Sequence, residues 1–294
     1  MPPGACAPRP TVPVLRVLSI LPLPVLYVLC GALALLTRLV GWRRGYVRDG
    51  LARCLPHATA AERERIASAF YRYLGELVAE AVHGARITEE DLAQRLRFEN
   101  DEAVRELLAG GKKVLLLAAH HCNWEWLVLR CSTAFGTALV AAYKPASRER
   151  ANRELNALRS RFGTTMVEAR QIVNHVIAKR GAVKLLALVA DQSPAASREQ
   201  QSWFSFFGTE TAFFAGPGWI SARLGYRPVY IRMRRERRGH YVARFVPLTG
   251  PGERADPERT LEAYVRAVED AVRSQPAQYF WAYNRWKRPK RVYD

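Results

Sequence analysis

The stretch "VLLLAAHHCNWE", residues 114–125, decides the fold. Six apolar residues, Val114 to Ala119, run without a polar interruption and stop at His120. A short continuous apolar run of this kind is the pattern of a strand buried on both faces. Two more runs repeat the design: Ala138 to Tyr143 stops at Lys144, and Leu185 to Ala190 stops at Asp191. Between the second and third, Arg148 to Arg161 and Gln171 to Arg180 read as helices. Strands alternating with helices predict an α/β fold with a largely parallel central sheet flanked by helices. Ligands of open α/β sheets bind outside the carboxyl ends of the strands, so His120, Lys144 and Asp191 mark the functional edge.

Downstream, strands are expected near Pro228 to Met233 and from Tyr241 to Val246, followed by a helix with Asp256 as N-cap and Pro257 in its first position. Upstream, Thr59-Ala-Ala-Glu62 has capping-box spacing, and Ile66, Phe70, Tyr73, Leu74 and Leu77 follow at helical intervals, predicting an amphipathic helix to His83. A second short helix should begin at Thr88, ahead of Glu89, Glu90 and Asp91, whose charges suit a helix N-terminus. Still earlier, Val17 to Leu36 is uncharged and almost wholly apolar, long enough on paper to cross a bilayer. Pro22 and Pro24 leave Val25 to Leu36 as its unbroken part, which suits a monotopic or re-entrant anchor as well as a span. Arg38, Arg43, Arg44 and Arg48 follow at once, as on the cytoplasmic side of a membrane segment, and a cleaved signal peptide is the competing reading. The chain thus divides into an N-terminal membrane anchor over 1–42, a helical lead-in over 43–98 and an α/β core over 99–294.

Of 294 residues, 49% are hydrophobic and 24% charged, which excludes a disordered or multi-span chain. The net charge of +18 calls for an anionic partner: nucleic acid, an anionic membrane, or an acidic protein or substrate. No helix-turn-helix, zinc-finger or RNA-recognition signature accompanies the charge, so nucleic acid is not the expected partner. Cys6, Cys30, Cys54, Cys122 and Cys131 form no C-x-x-C pair and are odd in number, which fits a reducing compartment.

The chemistry centres on His120. A histidine beside a carboxylate is the usual neutral-pH base. His120 and Glu125 are five residues apart, about 140° apart on one helix, and cannot meet there. They can meet if His120 ends the strand, Cys122 to Trp124 turn, and Glu125 opens the next helix; the carboxylate would then fix the imidazole tautomer. Cys122 as a nucleophile, and plain packing of the whole segment, are the other readings. Adjacent His-His-Cys lacks the usual zinc spacings and there is no H-E-x-x-H helix, so no metal is expected.

"HHCNWE" at 120–125, "YKP" at 143–145, "RFG" at 161–163, "DQ" at 191–192, "FFG" at 206–208 and "WAYNRWK" at 281–287 occur in order behind the apolar N-terminus. Over nearly its whole length the chain resembles the bacterial lipid A biosynthesis acyltransferases of the lysophospholipid acyltransferase superfamily. His121 and Cys122 stand where that family usually has an aromatic residue and glycine. The resemblance implies an O-acyltransferase at the cytoplasmic face of the bacterial inner membrane. It would move a fatty acyl chain from a thioester, on acyl carrier protein or CoA, to a hydroxyl of an anionic lipid A precursor, with the thioester as co-substrate and no cofactor. His120 would be the base and Glu125 its orienting acid, with Asn123, Lys144, Arg161 and Asp191 on the substrate. For Asp191 a structural hydrogen bond is the alternative, and for Phe206, Phe207 and Trp281 core packing is favoured. Arg232, Arg234, Arg235, Arg237, Arg238 and the tail from Arg285 to Arg291 would meet headgroups or the carrier. The same scaffold acylating a lysophospholipid, glycolipid or aminolipid is the neighbouring possibility.

Overall fold

A computed structural model describes residues 17–145, 149–179, 181–194 and 200–286. Cys6, Arg9, Arg16, Arg148, Arg180 and the basic tail from residue 287 lie outside the described residues. The sheet contains β1 (Leu96–Phe98), β2 (Lys113–Ala118), β3 (Leu139–Tyr143), β4 (Thr165–Glu168), β5 (Leu185–Val189), β8 (Tyr226–Arg237) and β9 (His240–Pro247). Its seven strands run in the order β1-β9-β8-β2-β5-β3-β4. All neighbours are parallel except β8 and β9, which form an antiparallel hairpin turning at Gly239, whose φ of 67° suits glycine. A separate antiparallel hairpin, β6 (Gln201–Phe206) and β7 (Thr209–Phe214), was not anticipated. Its two-residue turn is Phe207-Gly208, both at positive φ, so "FFG" is hairpin chemistry.

Alternation along β2 builds both cores. Leu115 and Leu117 face one side with helices α2 (Arg44–Cys54), α8 (Ile172–Ala178), α9 (Gly216–Leu224) and α10 (Pro257–Ser274). Val114 and Leu116 face the other with α1 (Leu23–Leu39), α4 (Glu89–Arg95), α5 (Glu102–Ala109) and α6 (Trp124–Ala134). Both faces are covered, as a mostly parallel sheet requires. Val47, Leu51, Phe70 and Tyr71 of the lead-in are buried in the same core as the sheet.

The expected caps are present. Thr59 accepts from Glu62 N at 3.2 Å and Glu62 accepts from Thr59 N at 2.7 Å, opening α3 (Ala60–His83). Asp256 accepts from Arg259 N at 2.9 Å ahead of α10. Pro22 and Pro24 sit in the N-cap and first turn of α1, where proline is tolerated, so they start the helix and α1 runs 17 residues. That is about 25 Å. No single described helix is long and apolar enough to cross a membrane; α1 and α2 together would be a pair bent by 85°. Instead α1 lies along α3, burying Leu23, Leu26 and Ala34 and leaving Val28, Leu33, Leu36 and Leu39 more than half exposed. The helices meet at Gly75, where a Cβ would stand 2.7 Å from the Cys30 carbonyl oxygen.

Candidate active site

Strand register assembles the site. β2 and β5 are parallel neighbours with Ala118 opposite Val189, so two residues past the ladder His120 lies beside Asp191. His120 Nδ1 donates to Asp191 Oδ1 at 2.6 Å, and the His120 backbone N–H donates to the same oxygen at 3.1 Å. That bond holds the proton on Nδ1, pointed at the carboxylate, and leaves Nε2 with its lone pair free, 3.2 Å from the Gln192 side-chain amide. Asp191 is buried. Burial raises its carboxyl, but the His120 charge and hydrogen bonds, with Arg285, outweigh that and hold it below the usual carboxylate range. Arg285 is itself buried, donating to Ser193 Oγ at 2.9 Å and to the Ala212 carbonyl at 2.7 Å, which locks the chain after Asp191 onto β7. On the other side the C-terminal segment runs back along the histidine turn: Phe280 N donates to His120 O at 2.9 Å and Cys122 N to Gln278 O at 3.1 Å. The Trp124 and Phe280 rings flank the imidazole at 5.0 and 6.4 Å.

Glu125 was expected on His120, and the structure puts it elsewhere. It does open α6 as foreseen, but from the first turn its carboxylate takes a two-pronged bond from Arg159 at the end of α7 (Glu149–Arg159), at 2.8 and 2.6 Å. Trp124 Nε1 adds a third bond at 3.0 Å. Asn123, expected on substrate, is wholly buried as the N-cap of α6: its Oδ1 accepts from Trp126 N at 2.8 Å and its Nδ2 donates to Glu80 Oε2 at 2.7 Å. Glu80 is a hub, accepting also from Tyr241 OH at 2.7 Å and from Tyr27 OH of α1 at 2.9 Å. Burial raises its carboxyl pKa against those three hydrogen bonds, which lower it. Asp191, also expected on substrate, is buried against His120, which is the structural alternative noted for it.

Lys144 stands exposed just beyond β3, on the same sheet edge as His120. Arg161 donates to the Gly84 carbonyl at 2.6 Å, at the C-terminal end of α3. His121 turns away from His120 and bonds the Gln275 carbonyl at 3.1 Å; burial pushes its pKa down to about 4. Cys122 has φ 56°, in the left-handed region where a glycine would cost nothing. Its thiol is buried, and burial pushes its pKa far up, which removes the thiolate a nucleophile needs.

An apolar groove of about 370 Å³ lies between α1 and α3, and two of its lining rings, Trp124 and Phe280, flank His120. Leu33, Ala34, Leu74, Leu77 and Val78 form its sides, and Trp124, Glu125 and Phe280 its inner end. Glu80, Arg159, Gln192 and Phe280 went unassigned in the sequence, and Arg285, expected to meet headgroups or the carrier, is instead buried on Ser193 and Ala212 because its guanidinium finds acceptors inside the fold. Gln192 adjoins Asp191 in the "DQ" pair, and Phe280 and Arg285 lie in or beside the C-terminal aromatic motif. Glu80 and Arg159 carry no local signal.

An imidazole held by a buried carboxylate at the carboxyl edge of a parallel sheet, with an apolar groove beside it, is an arrangement suited to proton transfer next to an apolar ligand. The chain belongs to the bacterial lipid A biosynthesis acyltransferases: the family description "Bacterial lipid A biosynthesis acyltransferase" matches residues 11–288. It is 24% identical over 250 residues to a "Lipid A biosynthesis acyltransferase" of Haemophilus influenzae, spanning 81% of this chain and 74% of that one. The protein is an acyltransferase.

Proposed function

We propose that this acyltransferase moves a fatty acyl chain from a thioester, carried on acyl carrier protein or CoA, to a hydroxyl of a lipid A precursor. The observation that carries the reading is the His120–Asp191 pair, whose imidazole is flanked by Trp124 and Phe280, two rings that also line the apolar groove. His120 Nε2 takes the proton of the acceptor hydroxyl as its oxygen attacks the thioester carbonyl, the substrate oxygen replacing the Gln192 amide. Asp191 holds the tautomer and faces the positive imidazole as it forms. The tetrahedral intermediate's oxyanion is held by backbone N–H groups of the first turn of α6. Its collapse expels the thiolate, which takes the proton from His120 and leaves as thiol. Glu125 acts through Arg159, fixing α6 to α7 at the inner end of the groove. The hydrocarbon chain lies in the groove itself.

The exposed apolar face of α1 meets the bilayer in a monotopic arrangement, with Trp42 and Tyr46 at headgroup level and Arg38, Arg43, Arg44 and Arg48 toward anionic lipid. Four cysteines are free among the described residues, in keeping with the cytoplasmic face of the inner membrane.

The test is His120→Ala in purified protein with acyl carrier protein thioester and a lipid A precursor. Loss of a general base costs about 10² to 10⁴ in rate. A variant that keeps more than a tenth of the wild-type rate refutes the assignment. In cells, deletion should remove one acyl chain from lipid A by mass spectrometry, and an unchanged lipid A profile would count against the acceptor.

A further inference from the structure

On the next face of α3 from the groove lies a second cleft of about 460 Å³, and its character is the opposite. Arg72, Glu76, Arg235, Arg238 and Gln278 line it, with the Tyr73 ring. Glu76 is buried and holds two of the arginines: Arg235 donates to Oε2 at 2.5 Å and Arg238 Nε to Oε1 at 2.8 Å. Three guanidiniums against one carboxylate leave a net charge of about +2 facing the cleft.

Unused donors remain. Arg72 is exposed and has no partner among the described residues. Arg235 Nε is buried with no hydrogen-bond partner. Arg238 uses Nε on Glu76, so both its terminal nitrogens are available, while its guanidinium stacks 5.2 Å from the Tyr27 ring of α1. Arginine forks match the oxygens of a phosphate, and a phosphomonoester carries about −1.5 to −2 at neutral pH, the complement of this charge.

The two clefts are neighbours. Tyr73 and Glu76 face the charged one, and Leu74 and Leu77 the apolar one, on adjacent sides of the same helix. Gln278 lines the first and Phe280, against His120, the second. Gln278 and Phe280, two residues apart on the segment that hydrogen-bonds along the histidine turn, thus link the cationic cleft to the apolar groove beside the base.

We infer that the Arg72–Arg235–Arg238 cleft binds a phosphomonoester of the lipid acceptor and so orients its hydroxyl toward His120, an inference that rests on the acceptor proposed above. The double variant Arg72→Gln/Arg238→Gln changes only exposed side chains and leaves the Arg235–Glu76 pair in place. Wild type and variant are assayed in detergent on a phosphorylated acylated glucosamine disaccharide and on its dephosphorylated counterpart, and both proteins are titrated with inorganic pyrophosphate by calorimetry. Wild type should show a KM at least tenfold lower for the phosphorylated acceptor. The variant should lose that advantage, with kcat/KM on the phosphorylated acceptor falling at least tenfold, and bind pyrophosphate at least tenfold more weakly. If the variant keeps both the KM advantage and the pyrophosphate affinity, the inference is overturned and the arginines are a structural lock on Glu76. If wild type acylates neither acceptor, the acceptor reading fails, and the pyrophosphate titration still decides the cleft. Pyrophosphate binding lost in the variant without any KM change would assign the cleft to a free phosphate ligand and overturn its role in acceptor binding.

Discussion

Replacing Asp191 with asparagine removes one charge and almost no volume from a buried position 2.6 Å from His120 Nδ1. In the proposed mechanism, proton transfer from the acceptor hydroxyl places a positive charge on the imidazole in the transition state, and the carboxylate faces it. With charge centres about 4 Å apart and an effective dielectric of about 20, the attraction is about 4 kcal/mol. Each 1.36 kcal/mol is a factor of ten in rate, so Asp191→Asn should lower kcat by about a thousandfold with little change in KM. An amide NH2 turned toward Nδ1 would also favour the tautomer that blocks Nε2, deepening the loss. The assay is acyl transfer in detergent under saturating acceptor, run below the unfolding temperature of each variant, with Glu125→Gln in parallel. Glu125→Gln keeps one acceptor for Arg159 and should lose stability by about 1.5 to 3 kcal/mol, with a smaller fall in kcat. A tenfold or smaller loss in Asp191→Asn, beside a loss above a hundredfold in a folded Glu125→Gln, would return the orienting role to Glu125.

Four other outcomes are expected. Glu80→Ala leaves the donors of Tyr27, Asn123 and Tyr241 without their acceptor and should cost about 2 to 5 kcal/mol by denaturant unfolding. Glu80→Gln should be far milder, and its standing against wild type should improve as pH rises: burial raises the Glu80 carboxyl, so its contribution is full below the unfolded glutamate pKa and is lost as pH climbs through the raised native value. A wild type whose advantage grows with pH would contradict this. Gly75→Val drives a side chain into the Cys30 carbonyl and Ala34, so it should cost about 1 to 3 kcal/mol in thermal unfolding and reduce turnover of long-chain donors. Unchanged stability would mean that α1 is not packed there. Cys122→Gly relieves a left-handed residue, worth about 1 to 2 kcal/mol, at the expense of buried thiol packing. Stability should move by no more than about 1 kcal/mol and activity should persist; an inactive, folded variant would restore the thiol to the mechanism.

Much of this was legible from local pattern. The capping box at Thr59, the proline after Asp256 and the three apolar runs each specify one element through neighbouring residues, and the structure has those elements within a few residues of the expected bounds. What local pattern cannot carry is adjacency between distant strands. The run ending at His120 and the run ending at Asp191 were both visible, but β5 is inserted between β2 and β3, so the histidine meets an acid 71 residues away. Glu125, close in sequence, was the natural partner on spacing alone. It goes to Arg159 because the first turn of α6 faces α7. Asn123 looked like a polar group for substrate, and its burial follows from Glu80, a glutamate on the face of α3 that packs inward. Pro22 and Pro24 looked like breaks in an apolar run and instead begin a helix, since position within the first turn decides what proline does.

The pairing of β2 with β5 carries a consequence for how such a chain can vary. The His120–Asp191 contact is fixed by a count of residues along two strands, not by the path between them. Loops and helices from residue 124 to residue 184 could lengthen or shorten and leave His120 beside Asp191, provided the two strands stay in step. A one-residue deletion within Val114 to Ala119 would have the opposite effect. It would turn the imidazole to the other face of the sheet, away from the carboxylate, because strand side chains alternate with a period of two. Tolerance to insertion should therefore collapse over a few residues at the ends of two strands and be broad elsewhere on the same edge, a profile that a deletion scan across residues 110–195 would draw directly.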